Sequence, residues 1–408
     1  MTAYQPIRPA DFPWFRYEGY TFSLGLVRKR SDGRTEAVLS GHSASEYDAE
    51  AGRIVVRGGM AEQAGTAYAK VSALLAEAGL GAADVTRIVE NVTVPGLAHA
   101  REINRARTRL LASGAAQFVV PVSTVVVDAL LRRDALVEVE VRAVTGGGES
   151  LGRVEAGFFR PDSLRATPDG EVYLPTAQPL DPRTQRVLAA TPGEQYRRCL
   201  EVADGWLRAV GLDLTSVVSV REMLVADVPA AFAADRDAVR RELLGAGGVF
   251  PAFSTVRVGA LHEPGLFVAL DIVASRRPLR AVRPQGWDGE WSPGVRAGDV
   301  VHLSGFDGRD PVTGEIAPDV VAQAETAYCS VFAVLAAEGL GPEALTETIE
   351  TVTPTGLPGY RGVAGVRERM LRAGRADPVP WPASTGLICH GLSRPDAHFQ
   401  VLATAVAA

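Results

Sequence analysis

Apolar residues recur at helical spacing in three stretches of this chain: Glu62–Leu80, Glu194–Leu212 and Ala322–Leu340. Each is 19 residues long and closes on Gly-Leu. In the third, Ala327, Val331, Val334 and Leu335 follow i+3/i+4 spacing, which predicts a helix with one apolar stripe. Gly339 fits its C-terminal cap. Upstream, Val300 to Gly305 reads as a strand closing on Ser-Gly, and Asp310-Pro311-Val312-Thr313-Gly314 is turn chemistry. Downstream, Leu345 to Val352 is rich in β-branched residues and predicts a strand. Tyr360 to Arg372 reads as a second helix ending before Gly374. Ser384 to Cys389 and Ala397 to Val406 read as a final antiparallel pair. The order is ββαβαββ, an α+β unit with helices on one face of a mixed sheet.

The other stretches sit in the same surroundings. A glutamate lies ten residues beyond each closing leucine: Glu90, Glu222 and Glu350. A proline leading into Ser-Thr follows in PVST from Pro121, PAFST from Pro251 and PAST from Pro382. The repeat is therefore threefold, with a period of about 130 residues. Such a period is too long for a solenoid, so each copy should carry its own core. The expected domains are 1–145, 146–281 and 282–408. The second copy opens irregularly, with Glu171 to Pro175 for a strand and Gln178-Pro179-Leu180-Asp181-Pro182 for a turn. Gly146 to Gly170 reads as part linker and Val282 to Asp288 as a second linker.

Composition narrows the partners. A net charge of −6 without long runs of one sign weighs against a nucleic-acid footprint. No apolar run was expected to reach membrane-spanning length, and the N-terminus lacks a signal-peptide layout. Three cysteines, Cys199, Cys329 and Cys389, show no metal-ligand spacing, and the six histidines form no HxxxH or HExxH arrangement. The expectation is a cytoplasmic protein with no metal and no cofactor.

Ordered as they are, these motifs resemble the RidA/YjgF family of imine and enamine deaminases. The carriers are Ser304-Gly305, Asp310 to Gly314, the Gly-Leu helix ends, Pro121-Val122-Ser123-Thr124 and Val137-Glu138-Val139-Glu140. The resemblance implies a chorismate-mutase-like fold in each copy. It also implies a covalent pseudo-trimer with clefts between copies, further self-association being left open. The family's deaminating members carry an arginine before Ser-Thr, whose planar guanidinium clamps a substrate carboxylate. Here that slot holds Val122, Phe253 and Ala383, although the first and third copies are one residue short, which lets Ser123 and Ser384 slide toward it. The family's glutamate on the last strand is Glu138 in the first copy, Ala269 in the second and Gln400 in the third. Its helix asparagine is Asn104, against Asp237 and Ala364.

The resemblance points to Glu138 as proton shuttle, with Asn104, Ser123 and Thr124 positioning substrate or water. Thr255 and Arg257 share a strand face by period-two alternation, and Arg257 is read as an anion contact or a solvent-facing strand residue. Adjacent strand residues point to opposite faces, so Cys389 and His390 make a weak catalytic pair. Glu90, Glu222 and Glu350 are read as salt-bridged, with Arg87 and Arg221 close in sequence, and are given no catalysis. The expected function is a divergent Rid-type reaction on a small molecule. It is hydrolysis of an imine or enamine, or a related proton transfer, cyclisation or dehydration. Loss of the arginine suggests a substrate that is larger, less anionic or carrier-held, as in specialised metabolism. A non-catalytic binding or scaffold protein is the alternative, and a chorismatase-like hydrolase ranks third.

Overall fold

The structure is a computed structural model, and it describes residues 4–14, 20–112, 119–154, 162–181, 184, 186–372 and 380–407. Pro182 and Gly374, read above as part of a turn and as a helix stop, lie outside the described residues. In the first repeat, β1 (Gly25–Lys29) and β2 (Thr35–Leu39) precede α1 (Met60–Glu77) and β3 (Val85–Thr93). Then come α2 (Ala100–Ala112), β4 (Val122–Val127) and β5 (Val137–Val144). The second repeat has β6 (Glu149–Val154), β7 (Asp162–Ala166), β8 (Glu171–Tyr173) and α3 (Pro192–Arg208). It continues with β9 (Val217–Val225), α4 (Phe232–Leu244), β10 (Ala252–Val258) and β11 (Val268–Ser275). The third opens on β12 (Leu279–Val282), β13 (Gly294–Ala297) and β14 (Val300–Leu303), followed by α5 (Val320–Ala337). It ends with β15 (Leu345–Val352), α6 (Val363–Arg372), β16 (Ala383–Ile388) and β17 (Phe399–Val406).

Three large sheets result, with orders β1-β2-β5-β3-β4, β6-β7-β8-β11-β9-β10 and β12-β13-β14-β17-β15-β16, beside a two-stranded ribbon of Ser45–Asp48 and Arg53–Val56. The pairs β3–β4, β9–β10 and β15–β16 are parallel, each joined across the second helix of its repeat. Their neighbours are antiparallel, which makes each sheet mixed. Three expectations need correction. β16 and β17 do not pair; they flank β15, because a parallel partner needs the long helical crossover that α6 supplies. The stretch Gly146 to Gly170 is more than linker, since β6 pairs with β7 within it. Finally, α5 is long and apolar enough to cross a bilayer, with mean hydropathy 1.5. Its stripe of Val331, Val334 and Leu335 is instead buried in the third repeat's core against Val401 and Ala403 of β17.

The helices cover one face of each sheet, and the other faces bury each other. Val125, Val127, Met223, Val256, Ile349 and Leu387 come from all three repeats and form one apolar core. Strand edges are shared as well. Ala129–Leu130 pairs with β16, Gly391–Leu392 pairs with β10, and Asp128 accepts from the Gly259 amide at 2.9 Å. These exchanges close a ring, so the chain is a pseudo-trimer in one polypeptide. Where the three sheets meet, contacts between polar side chains cross each boundary. Arg87 holds Asp271 at 2.6 and 2.7 Å, Arg142 holds Glu347 at 2.6 Å, and His302 lies 2.9 Å from Glu171. They surround a cavity of about 50 Å3.

Glu90, Glu222 and Glu350 are buried under the helices, with arginine partners other than those expected. Glu90 accepts from Tyr68 and, at 2.8 Å, from Arg107 of α2. Glu222 accepts from Tyr196 at 2.6 Å and pairs with Arg240 of α4 at 2.6 Å. Glu350 accepts from Tyr328 at 2.6 Å, from Tyr360 at 2.6 Å and from Arg367 of α6. Arg87 and Arg221 are one or three residues away on the same strands and therefore face the opposite side. Burial opposes ionisation of Glu222, but Arg240 and Arg236 outweigh it and hold the carboxyl below its usual range.

A glutamine at the second position of each helical stretch does a second shared job. Gln195 donates to the carbonyls of Ala189 at 3.1 Å and Gly265 at 2.7 Å, and accepts from the Phe267 amide at 2.7 Å. Gln63 and Gln323 make the same stitch. Gln195→Ala should orphan buried backbone groups and lower stability by about 1–3 kcal/mol, read as a lower urea midpoint at unchanged slope.

Candidate active site between the first and third repeats

Strand register places the equivalent residues. Val122 lies opposite Ile88, Phe253 opposite Val220 and Ser384 opposite Thr348, each two residues before the buried glutamate of its repeat. The arginine slot therefore holds Val122, Phe253 and Ser384. The short third copy has slid by one residue, so Ala383 is not in the slot, whereas Ser123 has not moved. On the last strands, Glu138 lies opposite Asn91, Ala269 opposite Met223 and Gln400 opposite Thr351, so these three are equivalent.

The residues expected to work together do not all meet. Ser123 faces the second repeat, where its hydroxyl donates to Asp271 at 2.7 Å. The Thr124 amide donates to the Thr176 hydroxyl at 2.9 Å, also across that boundary. Asn104 accepts from Arg107 at 2.6 Å and so steadies the Glu90 cluster. Thr255 donates to Glu222 at 2.6 Å, and Arg257 donates to the Ala226 carbonyl at 3.2 Å. Cys389 is buried, its thiol pushed up to about 12 mainly by that burial, which removes any thiolate chemistry near neutral pH.

Glu138 belongs to a different boundary. It is half-buried and lines a cleft of about 780 Å3 between the first and third repeats. On the first-repeat side the cleft is lined by Gly41, Ser43 and Glu138; on the third-repeat side, by Ala364, Ser384 and Gly386. Those three positions explain why the cleft is open. Ala364, three residues before Arg367, stands where the other repeats have Asn104 and Asp237. Ser384 stands where they have Val122 and Phe253. Gly386, opposite Glu350, stands where they have Thr124 and Thr255. At the first–second boundary, Ala269 is buried among Leu180, Leu261, Leu266 and Val125. At the second–third boundary, the Gln400 amide oxygen accepts from Ser254 at 2.7 Å, and both residues are buried. The one retained glutamate thus faces the repeat with the smallest side chains.

Backbone contacts hold this cleft together. The Ser384 amide donates to the Ser40 hydroxyl at 2.8 Å, and the Gly41 amide donates to Thr385 at 3.0 Å. Gly41 leaves room for the acid: a Cβ there would lie 2.1 Å from Glu138 Oε1. Gly41→Ala should therefore turn the carboxylate aside and depress turnover nearly as far as removing it. Circular dichroism of the variant should keep its helical signal. Full activity in that variant would show that the acid's position is immaterial.

Burial, and then Glu140, push the Glu138 carboxyl up to about 8, while Lys70 and Arg132 pull it partly back. A carboxyl in that range exchanges protons at neutral pH, as general acid–base work requires. Lys70 is fully buried on α1, and its ammonium donates to the carbonyls of Ser43, at 2.7 Å, and Ser45, so it pins the segment that lines the cleft. Burial pushes this lysine down to about 7, opposed by Glu46 and Glu138. Sequence reading missed Lys70, yet a lysine on the buried stripe of an apolar helix is a visible signal. His42 also lines the cleft, but burial holds its imidazole down to about 3, leaving it a neutral partner of the Leu24 carbonyl at 2.9 Å. Among the described residues no group of histidine, cysteine or acidic side chains is arranged to hold a metal.

Solved structures place this architecture. TdcF of E. coli with bound serine is 25% identical over 33% of this chain and 100% of its own, with a TM-score of 0.28. The YjgF gene product of E. coli is 26% identical over 32% and 98%, with a TM-score of 0.28. Each spans about one repeat. Each is therefore similar to a single repeat of this chain and not to the whole. A chorismatase structure is similar over 79% of this chain and 93% of its own, with a TM-score of 0.51 and 12% identity, so it shares the fold. No protein-family model matches the chain, and no curated protein matches it by sequence. The three RidA-like repeats thus carry three unequal boundaries, and the retained acid lies at the one between the first and third.

Proposed function

We propose that this RidA-like protein hydrolyses an imine or enamine of a small organic molecule in the cleft between its first and third repeats. The carrying observation is Glu138, a half-buried carboxyl pushed up to about 8 in an open cleft of about 780 Å3. A cleft of that size accepts a molecule well beyond a simple 2-imino acid. Glu138 takes a proton from water as its oxygen attacks the imine carbon. A C–O bond forms, the C=N π electrons move to nitrogen, and Glu138 returns the proton to that nitrogen, giving a neutral carbinolamine. The regenerated carboxylate then takes the carbinolamine hydroxyl proton and passes it to nitrogen as the C–N bond breaks, the carbonyl forms and ammonia leaves. An enamine first accepts a proton at carbon from the neutral acid. Ser384 and the Thr385–Gly41 contact shape the pocket around these steps.

The test is ammonia release from imines generated in situ by an amino-acid oxidase, comparing wild type with Glu138→Gln. Acceleration that the substitution abolishes supports the proposal. No acceleration across small and bulky imines would favour a protein that binds without turnover.

A further inference from the structure

The cleft has lost the arginine of its strand slot, yet it is strongly basic. Arg132 and Arg133, on the loop leading into β5, and Arg361, before α6, are exposed and line it. None of the three has an ion-pair partner among the described residues. Arg367 also lines the cleft but is occupied by Glu350 and by Thr21 at 2.9 Å. Against three uncompensated cations stands one carboxyl, Glu138, in a chain whose net charge is −6. An arginine doublet without an ion-pair partner is particular to this boundary among the described residues; the third repeat has Arg394-Pro395 in that loop, with Arg394 held by Asp396. Gln63 and Gln195 bond the equivalent carbonyls of Asp134 and Gly265, which aligns Arg132-Arg133 with Glu263-Pro264. The corresponding loop of the second repeat is thus acidic where this one is basic. Apolar and aromatic side chains, Tyr20, Phe22, Leu131 and Leu357, line the same cleft.

A cavity with cations at an exposed rim, an apolar wall and a proton-exchanging acid half-buried inside reads its ligand at two points. Arginines favour oxyanions because their planar fork matches a carboxylate or phosphate. With Ser384 in the slot, no guanidinium from that strand can clamp a carboxylate beside the reacting carbon. We infer that the cleft takes an elongated organic anion whose carboxylate or phosphate is held at the exposed rim by Arg132, Arg133 and Arg361, rather than by the strand slot beside the carbon that reacts at Glu138. This rests on the hydrolytic reading for the reacting end but not for the anion site itself.

Titration calorimetry on the full chain tests it with three probes. Pyruvate carries its charge next to the carbonyl, 5-oxohexanoate carries it at the far end, and 4′-phosphopantetheine presents a phosphate on a long neutral arm. Either long probe should bind at least tenfold tighter than pyruvate, with affinity falling as salt rises. An Arg132→Ala/Arg133→Ala double variant should lose tenfold or more of that affinity while keeping its melting temperature, since both side chains are exposed. Tighter binding of phosphopantetheine would assign a carrier-linked substrate, and of 5-oxohexanoate a free acid. Pyruvate binding as tightly as the long probes, no binding by any probe, or an unchanged double variant would overturn the inference. Glu138→Gln should retain probe binding. Loss of turnover with binding intact therefore speaks only to the hydrolytic reading, and loss of binding with turnover intact only to the anion site.

Discussion

Glu138→Gln should reduce imine hydrolysis by about 10²–10⁴-fold, the usual contribution of a positioned general acid–base. Glutamine keeps the volume but cannot exchange a proton. Gln400→Ala, at the equivalent position between the second and third repeats, should leave turnover unchanged because that position already lacks an acid. The wild-type rate should depend on pH with a defined sign. Water activation needs the carboxylate, so kcat/KM for an imine should rise with pH and level off above about 8. An enamine that must first be protonated should show the opposite limb. Stability should move against activity. The carboxyl is raised in the folded protein, so between the ordinary glutamate range and about 8 the native state binds more protons than the unfolded chain. Ionisation over that window therefore removes stability as pH rises. Glu138→Gln should be more thermostable than wild type at pH 9 and nearly equal to it at pH 5. A flat pH profile of both rate and melting temperature would reject the assignment of Glu138.

Asp271→Ala should destabilise the folded chain by about 3–5 kcal/mol, the range for breaking a buried ion pair from one side. Asp271 accepts from Arg87 at 2.6 and 2.7 Å and from Ser123 at 2.7 Å, and it is buried. Removing it strands a buried guanidinium between two repeats. Replacing both partners, as in Arg87→Met with Asp271→Leu, should recover most of the loss, because the apolar pair needs no desolvation of charge. Urea unfolding of the single and double variants reads both numbers. A single variant as stable as wild type would mean that Arg87 finds another partner, with Glu347 and Glu140 lining the same cavity. The buried pair also bears on function through geometry, since the three sheets that meet there set the spacing of the cleft walls. Turnover at low denaturant should therefore fall before global unfolding in the single variant.

The order of elements was legible because helical and strand periodicities are local. The Gly339 cap, with φ of 68°, and the strand at Leu345–Val352 depend on residues a few positions apart. The three-copy plan was legible for the same reason, since each copy repeats the same local signals. The equivalence of Glu138, Ala269 and Gln400 was implied by the family resemblance, and strand register agrees with it. The partners of Glu90, Glu222 and Glu350 were not legible. Nearness in sequence suggested Arg87 and Arg221, but period-two alternation turns those side chains away, and the true partners come from helices 17 or 18 residues on.

Sequence alone determined the unit and its triplication, because both are written in short-range spacing, while the retained acid and the missing slot arginine are what the family resemblance implies for these residues. Tertiary structure alone decided which repeats share a cleft. Ring closure sets Glu138 of the first repeat against Ala364, Ser384 and Gly386 of the third, and sends Ser123 and Thr124 to the opposite boundary. That pairing depends on which sheet faces bury one another, a long-range choice that no local pattern in the chain records.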